Sequence, residues 1–217
     1  MPFQYKVPED KKVRVIIDTD AACEADDPFA IAHALMCQKF DVRAIFAEQF
    51  NREGSTRQSY EEILTVLRAM KKEVPVFMGE ETKISEKKQG EEVSPAADFL
   101  IEEAMREDEK PLFVLCIGAI TNVASAMMKE KEIAKHMTIV WIGGQGHAYS
   151  TPEVREFNAG NDVEAINYVL NSGVTFWQIP NDVYGKMRIS LAEIERRIAP
   201  CGKIGRHLFE NMETYNH

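Results

Sequence analysis

The sequence predicts an α/β fold, Rossmann-like, with a mostly parallel sheet covered by helices on both faces, and three observations carry that expectation. Six short apolar, β-branched runs recur along the 217 residues. Helix-period segments of crossover length separate them. The runs are apolar at consecutive positions rather than alternate ones, as strands buried on both faces are.

In chain order, strands are expected at residues 13–17, 42–46, 74–78, 112–117, 138–142 and 174–179, and helices at 28–37, 56–70, 95–106, 122–129 and 163–170. Asp26 and Asp27 ahead of Pro28 can open the first helix, their charge favoured by its dipole. Ser94 before Pro95 reads as an N-cap followed by the first helical residue. Gly173 is placed to stop the fifth helix before the last strand. Ser190-Leu-Ala-Glu193 reads as a capping box opening a helix that runs toward the chain end. The polar stretch 80–94 reads as a long surface loop. One domain over residues 1–217 accommodates these elements.

Composition narrows the partners. With 35 acidic and 26 basic side chains the net charge is −9, so a broad phosphate-binding face would oppose the protein's own field, and no nucleic-acid partner is expected. The cysteines at 23, 37, 116 and 201 show no CxxC pair and no dense secreted spacing, which favours a reducing compartment. No apolar run is long enough for a signal peptide or a membrane span. A cytoplasmic protein without a membrane partner is the expectation.

In parallel sheets of this kind ligands bind at the carboxyl ends of the strands. There the sequence places Asp18-Thr-Asp20-Ala-Ala-Cys-Glu24-Ala-Asp26-Asp27, five carboxylates within ten residues. Like charges about 4 Å apart repel by roughly 4 kcal/mol at an effective dielectric of 20, so the cluster needs a cation or must hold protons. Calcium suits an irregular loop rich in oxygens, and magnesium is the second candidate. Capping of the next helix accounts for one or two of these acids, not five. Alternate residues of an extended chain share a side, so Asp18 and Asp20 are expected to project together from the strand end.

This segment resembles the opening Asp-x-Asp-x-x-x-Asp-Asp signature of the nucleoside hydrolases, the inosine-uridine preferring family, in a divergent bacterial form with two extra residues between its halves. The resemblance implies a calcium ion held by Asp20 and Asp27, with Asp18 behind them. It further implies that Asp20 is the general base activating a metal-bound water, and that Asp26 faces the ribose hydroxyls.

Three later segments extend the likeness. Ala44-Ile-Phe-Ala-Glu-Gln-Phe-Asn51 resembles the strand whose terminal Asn touches the sugar, although Asn51 reads equally as an ordinary turn residue. Glu48 in the same run is a further pocket candidate. Ile117-Gly118-Ala119-Ile120-Thr121-Asn122 is similar to a Gly-x-Leu-Thr-Asn segment, which implies that the backbone carbonyl of Ile117 is a metal ligand. As residues alone, Thr121 and Asn122 read as a helix cap. Gly143-Gly144 followed by Glu156-Phe157-Asn158 is similar to the family's Gly-Gly and Glu-Phe-Asn, with Glu156 and Asn158 gripping the ribose. Ser150 and Thr151 offer no secure counterpart to a further pocket Asn, and His147 reads as a solvated loop residue.

The likeness implies calcium-dependent hydrolysis of the N-glycosidic bond of a ribonucleoside or related ribosyl compound, in nucleoside salvage, by a homo-oligomer. It also implies a last Asp ligand, with a neighbouring His, from a C-terminal part. Asp182, His207 and His217 cannot take those roles, so a truncated chain is the expectation. Two alternatives stand beside it: a ribosyl-binding homologue without turnover, and a haloacid-dehalogenase-type phosphatase, in which Asp18 would be a nucleophile working with magnesium.

Overall fold

Six strands form one sheet in the computed structural model, which describes residues 6–87, 90–146 and 156–215. They are Val13–Thr19 (β1), Phe40–Ala47 (β2), Val76–Met78 (β3), Leu112–Cys116 (β4), Met137–Ile142 (β5) and Thr175–Ile179 (β6). Every pairing is parallel and the order is β3-β2-β1-β4-β5-β6, so the chain reverses its direction of travel across the sheet at β1. That reversal opens a crevice between the ends of β1 and β4, where ligands settle in such sheets.

The crossovers are helical, as the periodicity predicts: Asp27–Met36 (α1), Ser55–Met70 (α2), Pro95–Met105 (α3), Thr121–Lys129 (α4) and Val163–Leu170, with Phe157–Asn161 (α5) inserted just before the last of these, which is α6. Strand parity then divides the core. Val15, Ile17, Ile45 and Ala47 pack with Ile31 and Ala34 of α1 and with Ile63 and Val66 of α2. Ile16, Phe46, Val114, Ile139 and Trp141 pack on the other face with Leu100 of α3, Val123 and Met127 of α4, and Ile166 of α6. Each such side chain, fully buried, contributes about 1.5–3 kcal/mol. Arg14 opens β1 inside this core, bonding Glu103 Oε1 at 3.0 Å and the Glu103 and Lys110 carbonyls at 2.8 and 2.9 Å.

Several expectations change. The third strand starts at Val76, not residue 74, because Pro75 and its neighbours lead in from the α2 turn. The C-terminal helix expected from Ser190 is two helices, Leu191–Arg197 (α8) and Gly202–Tyr215 (α9), preceded by the one-turn helix Asn181–Tyr184 (α7). Pro200 and Gly202, the latter at φ +76°, separate α8 from α9. Ser190 does cap α8, accepting from the Glu193 N–H at 3.2 Å. Ser94 likewise accepts from Ala97 N–H at 3.2 Å, and Gly173 takes φ +81° after α6. The 80–94 stretch is more than a surface loop, because Glu80 at its start is buried and accepts from Lys87 Nζ, Ser94 N–H and Ser125 Oγ at 2.7, 3.0 and 2.5 Å. No helix among the described residues is long and apolar enough to cross a membrane.

Candidate functional site

A cavity of about 360 Å³, within the usual range for small-molecule sites, lies at the carboxyl ends of the strands. Asp20, Asp26 and Asp27 form one wall, Ile117 lies between, and Glu156, Asn158 and Tyr184 form the other. A wider depression of about 610 Å³ near Lys71 and Lys72 sits at the opposite end of the strands, where α2 turns into β3, and it gathers flexible cations without a chemical group to use them.

Each wall is set by the strand that precedes it. Asp20 follows β1 directly, and Gly118 after β4 leaves room for it: a Cβ there would stand 2.8 Å from Asp20 Oδ1. Asp27 opens α1 and accepts a short hydrogen bond from the Thr19 hydroxyl. Ile117 continues β4, its N–H donating to Asp18 O at 2.8 Å. The Asn158 amide then spans two strand ends, donating to the Ile117 and Ile142 carbonyls at 3.2 and 2.9 Å. Glu156 caps α5, with Oε1 accepting from Asn158 N–H at 3.1 Å and Tyr184 O–H at 2.8 Å, and Oε2 from Gly144 N–H at 2.6 Å and Ala159 N–H at 2.9 Å.

The first wall is short of positive charge. Burial, then the charges of Asp26, Asp18 and Glu24, push Asp20 up to about 8. Burial and the charges of Asp20 and Asp26 push Asp27 up as well, against the Thr19 hydroxyl bond that favours its ionised form. Among the described residues no Lys, Arg or His lines the cavity.

Asp18 behaves differently from Asp20. It shares the parity of Ile16, so it points toward α4, where Asn122 Nδ2 donates to its Oδ1 at 2.8 Å, and it does not line the cavity. Its Oδ2 meets no N–H donor, and burial pushes it up to about 7. Glu48, fully buried beside it, is also pushed up, by burial and then by Asp18. Glu48 in turn accepts from Asn122 N–H at 3.0 Å.

Asn122 is therefore no helix cap. The residue at the cap position of α4 is Ile120, in the left-handed region at φ +77°, and no side chain caps that helix. Asn122 ties β1, β2 and the 80–94 segment together, donating to Asp18 and to Ala47 O at 3.2 Å and accepting from Glu80 N–H at 2.7 Å. Thr121 turns its hydroxyl to Asp162 Oδ2 at 3.0 Å.

Of the residues singled out from sequence, the cavity brings together Asp20, Asp26, Asp27, Ile117, Glu156 and Asn158. Asn51 is left out: it is exposed in a turn at φ +57°, a conformation Asn tolerates, with its N–H on Gln49 Oε1 at 2.6 Å. Glu48 sits beneath the site rather than in it. His207 bonds Glu62 between α9 and α2, away from the cavity. His147, Ser150, Thr151 and His217 lie outside the described residues. Tyr184 and Met187 line the cavity unforeseen. Their signal was position alone, just past β6, where the carboxyl-end rule directs attention.

The donors facing the cavity are hard oxygens: the Asp20 and Asp27 carboxylates and the Ile117 carbonyl. That chemistry fits calcium or magnesium. Among the described residues no three His, Cys, Asp or Glu side chains converge to complete a metal site. The Ile117 carbonyl, water and a ligand's own oxygens are further donors of the kind such an ion accepts.

Residues 15–217 match the family model described as inosine-uridine preferring nucleoside hydrolase. The pyrimidine-specific ribonucleoside hydrolase RihA of Salmonella arizonae is 29% identical over 84% of this chain and 64% of its own length, so the chain spans less than two thirds of that relative. The purine-preferring ribonucleoside hydrolase from Gardnerella vaginalis superposes with a TM-score of 0.78 at 23% identity, over 93% of this chain and 71% of that one. The type III effector XopQ, solved with adenosine diphosphate ribose, gives 0.77 at 15% identity, over 95% and 66%. At these identities the two structures speak for the fold.

Proposed function

Because the chain belongs to the inosine-uridine preferring nucleoside hydrolase family, we propose that the protein hydrolyses the N-glycosidic bond of a ribonucleoside or related ribosyl compound. The observation that carries this reading is the single cavity with Asp20, Asp26 and Asp27 on one wall and Glu156 and Asn158 on the other. Water adds to the anomeric carbon, the bond to the base breaks, and free sugar and base leave. Asp20, buried and raised to about 8 before any cation is present, is the group placed to take the proton of that water. Asp26, exposed at the rim, faces the sugar hydroxyls, and the Glu156–Asn158 wall orients the ring from the far side. The acidic surroundings favour the positive charge that develops on the sugar as the bond breaks.

Asp20, Asp27 and the Ile117 carbonyl would hold calcium, with Asp18 supporting from behind. Calcium, when bound, supplies the countercharge these acids lack and orders and acidifies a water. The four cysteines are all unpaired, which suits a cytoplasmic setting, and a homo-oligomer belongs to the same reading. The phosphatase alternative loses its footing with the family match. Binding of a ribosyl ligand without turnover stays as a second reading, favoured by the finding that no three His, Cys, Asp or Glu side chains converge on a metal position among the described residues.

The test is ribose release from a panel of purine and pyrimidine ribonucleosides in calcium. Wild-type protein is expected to turn over at least one of them, and Asp20→Asn to lose about 10³-fold in kcat. Ligand binding without ribose release from any of them would establish the second reading instead.

A further inference from the structure

Tyr184 belongs to no motif in the sequence, yet it lines the cavity on the Glu156 side. A phenol has one proton to give and lone pairs to accept with. The proton is committed, since Tyr184 O–H donates to Glu156 Oε1 at 2.8 Å. What the oxygen can still offer is an acceptor. Asn158 leaves the same remainder: its amide protons go to the Ile117 and Ile142 carbonyls, so only its oxygen is left to meet a ligand. This wall therefore suits a ligand that donates, and a sugar hydroxyl is such a group.

The tyrosine is also fixed in place. Asn181 N–H, at the start of α7, donates to Gly144 O at 3.0 Å, and Gly144 N–H donates to Glu156 Oε2 at 2.6 Å. Together with the Tyr184–Glu156 bond these links join the ends of β5 and β6 in a closed ring around the Glu156 carboxylate. Burial and then Glu156 push the phenol up, so the proton stays in that bond across the working pH range.

We propose that Tyr184 is a specificity-determining residue that touches the sugar, its oxygen accepting a hydrogen bond from one ribose hydroxyl on the Glu156 side of the cavity. The inference rests on the hydrolase reading and deepens it, because a site built to bond a hydroxyl rejects the analogue that lacks it.

The experiment compares kcat/KM for one ribonucleoside and its 2′-, 3′- and 5′-deoxy analogues in wild-type protein and in Tyr184→Phe. The Phe variant is expected to lose about tenfold on the parent and almost nothing on one of the three analogues, so that one discrimination ratio collapses while the other two hold. Tyr184→His, which restores an acceptor, should recover part of that ratio and gives a second, independently folded reading. If the tyrosine merely braces Glu156, the parent and all three analogues fall by one common factor, and the proposal is overturned. Wild-type protein that cleaves ribonucleosides while all three ratios survive in the Phe variant sinks this inference alone. Wild-type protein that neither binds nor cleaves them removes the hydrolase reading, and this inference with it.

Discussion

The two walls of the cavity are both acidic, and they solve the cost of a buried carboxylate in opposite ways. Glu156 is surrounded by donors, with backbone N–H groups of Gly144, Asn158 and Ala159 and the Tyr184 hydroxyl all pointing at it. Asp20 and Asp27 are pushed up, by burial first and then by the charges of neighbouring acids. A carboxylate satisfied by the protein is a fixture; one left short of donors is a place for something to bind. The same residue type thus builds a donor-satisfied wall on one side and a donor-poor wall on the other.

The comparison is broken most severely by removing a charge from the unsatisfied wall. Asp27→Asn is expected to lower calcium-supported turnover by about 10³-fold. Its melting temperature without calcium should not fall, because the Thr19 hydroxyl still has an oxygen to meet and a like-charge repulsion is gone. A large loss of cation-free stability would show that Asp27 is a structural acid instead.

Glu156→Ala attacks the other wall and should do the reverse. It strips a helix cap and leaves several buried donors without an acceptor, at a cost of about 3 kcal/mol in unfolding free energy, with or without calcium. Denaturant titration reads it directly, and an unchanged midpoint would mean the donors find water.

A graded effect sharpens the contrast through pH. Asp20 is near 8 in the folded, cation-free protein against about 4 in an unfolded chain, so the native state holds a proton that the unfolded state has released. Stability from this group therefore declines as pH rises from about 4 to 8, by up to about 1.4 kcal/mol per pH unit. Calcium needs the ionised form, so the calcium-induced rise in melting temperature should be small at pH 5.5 and grow through pH 8.5. Equal shifts at both ends would place the cation elsewhere.

The strands and most helices were legible because burial on two faces leaves consecutive apolar residues, a local signature. The acids of the first wall were legible for a related reason, since five charges beside a buried strand have no bland explanation. Partnerships across the chain were not. Asn122 after a glycine-bearing turn reads as a cap, and only the fold brings it to Asp18, 104 residues earlier. Asp18 and Asp20 share strand parity on paper, but β1 ends at Thr19 and the two acids part company there. Tyr184 sits on a single helical turn with no periodicity to read. Pro200 and Gly202 break the C-terminal helix into α8 and α9, and a capping box at Ser190 marks only where the first of them starts.

The strand order has a consequence for how the molecule comes into being. On a growing chain β1, β2 and β3 can pair once residue 78 is made, while the other edge of β1 waits for β4 at residues 112–116. Until then Asp18 and Asp20 lie at the end of a strand whose other edge is open to water, where ionisation is cheap. Docking of β4 and α4 is what closes water out, so these acids lose their hydration late, in one step, to residues about 100 positions downstream of the acids themselves.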